Sequence, residues 1–238
     1  QLQGAVTDGD VRRGFIDGAQ ASDSVLTILN KNPKYIRKGE NSIDKLIGFR
    51  SKNILIVPVL EKKDDSICNV VNLRVHRSYL PIDAIIMAGG KGQRLRPLTE
   101  TTPKPLLKVG GVPIIERNIN RLATYGIDDI TISVNYLGKQ LEDFFGNGNS
   151  KGVMMNYIWE KEPLGTLGSV SLIDGFKNDY VLVMNSDLLT NIDFESFFLD
   201  FIESKADISI LSIPYKVEIP YAVLETENGQ IKSLKKKC

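Results

Sequence analysis

Residues 88–97, AGGKGQRLRP, followed closely by Pro103-Lys104-Pro105, form the densest set of reactive groups in this 238-residue chain. Glycines at Gly89, Gly90 and Gly92, after the small Ala88, let backbone amides approach an anion without side-chain obstruction. Arg94 adds a forked donor for phosphate oxygens, and Lys104 adds a compact charge whose backbone is restrained by the prolines on either side. This set suits a triphosphate; the plainer alternative is a glycine-rich turn with a basic surface. Two other phosphate loops do not fit. A dinucleotide fingerprint needs a third glycine where Leu95 stands, and a P-loop needs Gly-Lys-Ser/Thr where Gly92-Gln93 stands.

Two kinds of carboxylate accompany the loop. Asp187 follows the apolar run 180–184, a position open to a cation and equally common for a solvated turn aspartate. Glu160 and Glu162 flank Lys161 just before Gly165. A carboxylate can accept from both adjacent donors of guanine, N1–H and the amino group, whereas an amide suits the mixed edge of uracil.

The elements that must position these groups alternate from Ile82 onward. Residues 82–87, 129–134, 154–159, 180–184 and 207–213 read as strands, and 113–125, 137–145, 166–176 and 194–203 as the helices between them. That order predicts an α/β fold, a Rossmann-like and mostly parallel sheet with helices on both faces. Ligands of such sheets bind beyond the carboxyl ends of the strands. Residues 1–80 differ in texture. They show an apolar patch at 25–29, a short helix after Ser42 as N-cap, and strands at 54–59 and 69–73 around a charged turn. A domain boundary is expected near Leu80-Pro81, and both ends read as cut from a longer protein.

Composition bounds the function. A net charge of +1 supplies no general field for nucleic acid or membrane, so phosphate binding must be local. No apolar run approaches a membrane span, and residues 1–20 do not read as a signal peptide. The cysteines Cys68 and Cys238 are far apart and form no metal or disulfide pattern, which fits a reducing, cytoplasmic setting. With one histidine, His76, a histidine-based mechanism is hard to build.

The motifs resemble those of the sugar-1-phosphate nucleotidyltransferase family. Its G-G-x-G-x-R loop matches Gly89, Gly90, Gly92 and Arg94, and its P-K-P matches Pro103-Lys104-Pro105. Glu162-Pro163-Leu164-Gly165-Thr166 and Asn185-Ser186-Asp187 follow in the family's order. The resemblance implies that Arg94 binds the outer phosphates, that Lys104 lies near the α-phosphate and the sugar phosphate, and that Asp187 binds Mg²⁺. It further implies an NTP and a sugar 1-phosphate as substrates, a nucleotide site formed by Ala88, Gly89, Gly90, Gly92, Glu160 and Gly165, and a homo-oligomer. Relatives using UTP or dTTP commonly place Gln where Glu160 stands, and the 162–166 run is similar to mannose-phosphate guanylyltransferases. GTP is therefore the expected nucleotide, with UTP, CTP or dTTP as alternatives and Glu162 as the alternative reader. A second metal aspartate and a Glu-Lys-Pro motif, expected late in the domain, have no counterpart in residues 235–238, Lys-Lys-Lys-Cys, so residues 81–238 read as a C-terminally incomplete transferase domain.

Residues 4–10, GAVTDGD, resemble the end of a CBS motif, and 22–77 resemble a second, complete one, giving a small α+β module ahead of the transferase domain. By that resemblance Thr7 and Asp10 would contact an adenine nucleotide. The second copy carries Asn72 and Val75 at the equivalent positions, so one nucleotide site is the most this module offers. A ligand-free structural module is the alternative. A nucleotide sensor with an inert transferase domain would have lost Arg94, Lys104 or Asp187, and all three are present.

Overall fold

The computed structural model describes residues 2–162, 164–214 and 223–235. Residues 1–197 form one compact unit and 198–238 a second. The first unit opens with helix α1 (Asp8–Ile16), a 3₁₀ turn at Val25–Thr27, strand β1 (Ile36–Arg37), helix α2 (Ile43–Ser51) and strands β2 (Ile56–Leu60) and β3 (Ile67–Asn72). β2 pairs parallel with β1 and antiparallel with β3, and Ile36, Leu46, Val57, Val59, Val71, Leu73 and Tyr79 close a small core. Ser42 occupies the N-cap of α2 as expected, but its ψ of 17° turns the hydroxyl away from the helix amides and it makes no capping bond. Asn41 Oδ1 accepts from the Ile43 amide instead, at 3.3 Å.

The larger sheet contains β4 (Ile82–Met87), β7 (Asp129–Val134), β8 (Met154–Trp159) and β9 (Tyr180–Asn185), in the order β8-β7-β4-β9 with every pairing parallel. Between β4 and β7 lie the small hairpin β5 (Lys108–Val109) and β6 (Val112–Pro113) and helix α3 (Ile114–Thr124). Helix α4 (Gly138–Phe145) joins β7 to β8, the short helix α5 (Gly165–Gly168) precedes β9, and α6 (Phe194–Ser204) follows it. The parallel sheet agrees with the sequence expectation. Central strands covered on both faces should be apolar throughout, and Ile85, Ile86, Ile130 and Ile132 are fully buried.

Two elements depart from expectation. The helix predicted over 166–176 stops at Gly168 and relaxes through a 3₁₀ turn, Ser169–Leu172. Gly168 and Gly175 weaken helix propensity, and the buried Asp83 carboxylate accepts from the Lys177 amide (2.7 Å) and the Asn178 amide (3.0 Å), fixing the chain in a non-helical entry to β9. The strand predicted over 207–213 is not formed, and Ile208 and Ile213 are 72% and 84% exposed. Alternating apolar residues specify a face, but a strand also needs a neighbour's ladder, and no described strand supplies one. The second unit instead contains the antiparallel pair β10 (Val223–Glu227) and β11 (Gln230–Lys235). Of the tail 235–238, residues 236–238 lie outside the described residues.

Residues up to 80 are joined to the parallel sheet by hydrogen bonds at the α3–β7 turn. The Arg77 amide donates to Thr124 O (2.6 Å) and the Leu80 amide to Tyr125 O (3.0 Å). Gly126, at φ +69°, lets the turn meet Tyr79 so closely that a Cβ would lie 2.6 Å from the Tyr79 Cα. Asp128 Oδ2 accepts from Asn69 Nδ2 (3.1 Å) and Tyr79 Oη (3.4 Å). Burial, and secondarily the charge of Asp129, hold the Asp128 carboxyl above the usual carboxylate range. A raised folded-state pKa means that this group favours folding fully below the unfolded value of about 4 and loses that contribution as pH rises through the folded value. Asp128→Asn, whose amide oxygen can still accept from both donors, should therefore melt higher than wild type at pH 7 and lose the difference near pH 4. Melting curves across that range check it.

Candidate active site

The ladder does not stop where the strands do. Beyond β4 the Ala88 amide donates to Ser133 O (2.8 Å), and the Ser186 amide donates to Met87 O (3.1 Å). At the next edge the Glu160 amide donates to Val134 O (2.9 Å). These bonds carry the strand register into Ala88-Gly89-Gly90, Asn135, Glu160 and Asn185-Ser186-Asp187. Together they line one cleft of about 620 Å³ at the carboxyl ends of all four parallel strands. β4 is where the strand order turns back, with β7 on one side and β9 on the other, and such a reversal leaves a crevice open.

The glycine loop folds around a buried threonine. Thr99, 1% exposed, donates its hydroxyl to Gly92 O at 2.9 Å. Gly92 sits at φ +58°, and a Cβ there would come within 2.9 Å of Thr99 Cγ2 and 3.2 Å of Lys104 Cβ. Only glycine lets the loop close over this pair without strain. The turn Gln93–Leu95 then presents Arg94 at the rim of the cleft. Farther along, Tyr136 Oη donates to Glu100 O (3.0 Å) and Gln140 Nε2 to Thr101 O (2.9 Å), so the segment returning to Lys104 is tied to the start of α4.

Lys104 and Asp187, separated by 83 residues in sequence, meet in an ion pair between Nζ and Oδ2. Each side chain remains about one-third exposed, 36% and 35%, so the pair faces the cleft. Helix α3 holds the turn carrying Asp187. Asn118 interrupts the buried apolar stripe of Ile115, Ile119 and Leu122 and donates from Nδ2 to Ser186 O at 3.1 Å, and Arg121 donates to Ile192 O.

Glu160 is 8% exposed. Oε1 accepts from the Ser133 hydroxyl, Oε2 accepts from the Leu164 amide (3.3 Å), and its own carbonyl accepts from Asn135 Nδ2 (2.7 Å). A Cβ at Gly89 would lie 3.4 Å from both Glu160 Oε1 and Asn135 Cβ, so these groups form the cleft floor beneath the loop. Two of the four lone-pair positions of the carboxylate are used, which leaves acceptor capacity.

Nine transferase residues singled out in the sequence line this cleft: Ala88, Gly89, Gly90, Gly92, Arg94, Lys104, Glu160, Gly165 and Asp187. Glu162, the alternative reader, is exposed and outside the lining; Thr7, exposed, and Asp10, half-buried, also lie outside it. Those two residues form a capping box on α1, in which the Thr7 amide donates to Asp10 Oδ2 (2.9 Å) and the Asp10 amide to Thr7 Oγ1 (3.3 Å). The Thr7 bonds and the ion pair with Arg13 hold the Asp10 carboxyl below the usual range. Sequence reasoning missed Asn135, Ser133, Thr99 and Asn118. A polar residue within the apolar stripe of α3 was the available signal for Asn118, and position one residue past a strand was the signal for Asn135.

A family model described as Nucleotidyl transferase matches residues 83–237. The chain is 37% identical over 131 residues to the mannose-1-phosphate guanylyltransferase of Mycobacterium tuberculosis, covering 54% of this chain and 36% of that protein. It is 43% identical over 119 residues to the N-acetylmuramate alpha-1-phosphate uridylyltransferase of Neisseria meningitidis, covering 48% and 51%. A D-glycero-alpha-D-manno-heptose 1-phosphate guanylyltransferase of Aneurinibacillus thermoaerophilus is 31% identical over 159 residues, covering 66% and 68%. The chain thus spans about a third and a half of the length of the first two relatives. Among the described residues no helix is long and apolar enough to cross a membrane.

Asn118→Ala leaves the buried Ser186 carbonyl without its donor and should cost about 1–3 kcal/mol of stability. Asn118→Asp sets a carboxylate against that carbonyl and should cost more. Denaturant midpoints of the two variants would rank them.

Proposed function

The chain belongs to the nucleotidyl transferase family, and we propose that it transfers a nucleoside monophosphate from an NTP, GTP by preference, to a sugar 1-phosphate. The observation carrying this reading is the convergence of the glycine loop, the Lys104–Asp187 pair and Glu160 on one cleft. The loop amides and Arg94 receive the outer phosphates, and Lys104 receives the charge that builds between the α-phosphate and the sugar phosphate. A sugar-phosphate oxygen attacks the α-phosphorus, the bond to the bridging oxygen of the β-phosphate breaks, and pyrophosphate departs with that electron pair. The nucleophile is already largely ionised at neutral pH, since phosphate monoesters have a second pKa of about 6, so no general base is needed. The task of the side chains is to hold two anions together and in line.

Mg²⁺ fits the residues present. Asp187 already receives a cationic group in the cleft, and among the described residues no cluster of three or more His, Cys, Asp or Glu could hold a metal. One carboxylate, completed by water and substrate phosphate oxygens, is a common mode for this ion. When bound it supplies charge neutralisation and alignment of the phosphates.

Support for GTP comes from Glu160, whose buried carboxylate keeps acceptor capacity toward the cleft, and from guanylyltransferases among the relatives. The relatives also include a uridylyltransferase, so the base is tested directly. With a panel of sugar phosphates and equal GTP, UTP, dTTP and CTP, pyrophosphate release should favour GTP. In Glu160→Gln the amide oxygen must face the Leu164 amide, which can only donate, and the NH₂ can give one hydrogen to Ser133. The other hydrogen then meets a guanine donor. The mismatch costs roughly 1–3 kcal/mol, eroding GTP preference by one to two orders of magnitude. Wild-type preference for another base would refute the assignment.

Lys104→Ala should lower kcat/KM for the sugar phosphate at least about tenfold, ~1.4 kcal/mol, while triphosphate binding largely persists. Asp187→Asn should abolish turnover, since a neutral amide is a poor ligand for a hard dication. Steady-state pyrophosphate release against Mg²⁺ concentration measures both.

A further inference from the structure

We infer that Lys104 is a resident counter-ion for Asp187 and that the lysine and a divalent cation are alternative occupants of that carboxylate, so that Lys104 is released toward the phosphates only when a cation takes its place; the inference rests on the transferase reading above.

Three observations carry it. First, Lys104 Nζ is bonded to Asp187 Oδ2, and both residues line the cleft through which a cation would reach the carboxylate. An ammonium and a dication cannot both sit against one carboxylate oxygen without strong repulsion, so one excludes the other. Second, the backbone that carries the carboxylate does not depend on the lysine for its position. Its peptide is fixed by the Asn118 bond to Ser186 O and the Ser186 amide bond to Met87 O, and both would survive departure of the ammonium. Third, the lysine can leave without moving the loop. Its backbone is held between Pro103 and Pro105 in the turn Lys104–Leu106, with Pro105 buried, so the exchange needs only rotation of a flexible stem. The pair is about one-third exposed, and half-solvated ion pairs are weak enough to be broken by a competing ligand.

The arrangement also offsets the charge of an acidic group placed beside the proposed triphosphate site. Without metal, Asp187 would repel the substrate's charge, and Lys104 neutralises it. Once a cation replaces it, the freed ammonium becomes available to the α-phosphate and the sugar phosphate. Metal arrival and delivery of Lys104 are one event.

The test uses the protein without nucleotide. Labelling of amines with an acylating reagent, quantified by mass spectrometry of the peptide containing Lys104, should rise at least about threefold as Mg²⁺ is titrated, because the pair shields the amine. In Asp187→Asn the same lysine should label at the high level from the start and ignore Mg²⁺. Mn²⁺ affinity by electron paramagnetic resonance gives a second readout. Lys104→Ala and Lys104→Gln should bind Mn²⁺ at least about threefold more tightly than wild type, Lys104→Arg should stay near wild type, and Asp187→Asn should lose the site. Lys104 labelling indifferent to Mg²⁺, or unchanged or weaker Mn²⁺ binding in Lys104→Ala, would overturn the exchange. Failure of the transferase reading looks different: wild type would show no Mg²⁺-dependent pyrophosphate release with any pairing of nucleotide and sugar phosphate.

Discussion

The hydrogen bonds that extend the parallel ladder past β4, from the Ala88 amide to Ser133 O and from the Ser186 amide to Met87 O, set the geometry on which the cleft depends. A parallel sheet delivers all its strands to one end, so a residue just beyond each strand shares a neighbourhood with its counterparts on the others. Glu160 and Asp187 are each fixed to within one or two residues of a strand terminus, and their backbones cannot drift without breaking ladder bonds. Thr99 binds the glycine loop at Gly92 O, and Tyr136 and Gln140 bind the segment after it at Glu100 O and Thr101 O. A site built on such supports loses little ordering entropy when a ligand arrives.

Charge is arranged with the same economy. The chain carries a net charge of only +1, so the cleft gains no help from a general field. Its positive groups, Lys91, Arg94 and Lys104, come from one short segment, and the opposing carboxylates, Glu160 and Asp187, come from two other strand ends. Glu160 is tied up by Ser133 and Leu164 on the floor, whereas Asp187 is paired with a movable ammonium. The first carboxylate is thus held by neutral donors and the second by a charge.

The residues before Ile82 are not a loose appendage. Main-chain bonds at the α3–β7 turn, the approach of Gly126 to Tyr79, and the Asp128 cluster connect them to the sheet within one compact unit. Arg50 on α2 reaches Glu195 at the start of α6, 3.5 Å away, and α6 follows the turn that carries Asp187.

What the sequence determined by itself was set by local physics. The strands at 82–87, 129–134 and 154–159 are legible because a parallel strand is an apolar run bounded by turn residues, and the glycine loop because Gly89, Gly90 and Gly92 stand together directly after such a run. The catalytic candidates Arg94, Lys104 and Asp187 and the nucleotide-site candidate Glu160 were singled out by residue type and order, and all four line one cleft. The tertiary structure decided what depends on partners distant in sequence. Asp83 captures the amides of 177 and 178 and fixes a non-helical entry to β9; 207–213 has no partner strand among the described residues, since alternation cannot provide a neighbour; Ser42 at the N-cap makes no capping bond. The pairing of Lys104 with Asp187 across 83 residues and the grip of Asn118 on Ser186 O across 68 arise only when β4 and β9 lie side by side, since no local interaction encodes a contact that the strand order creates.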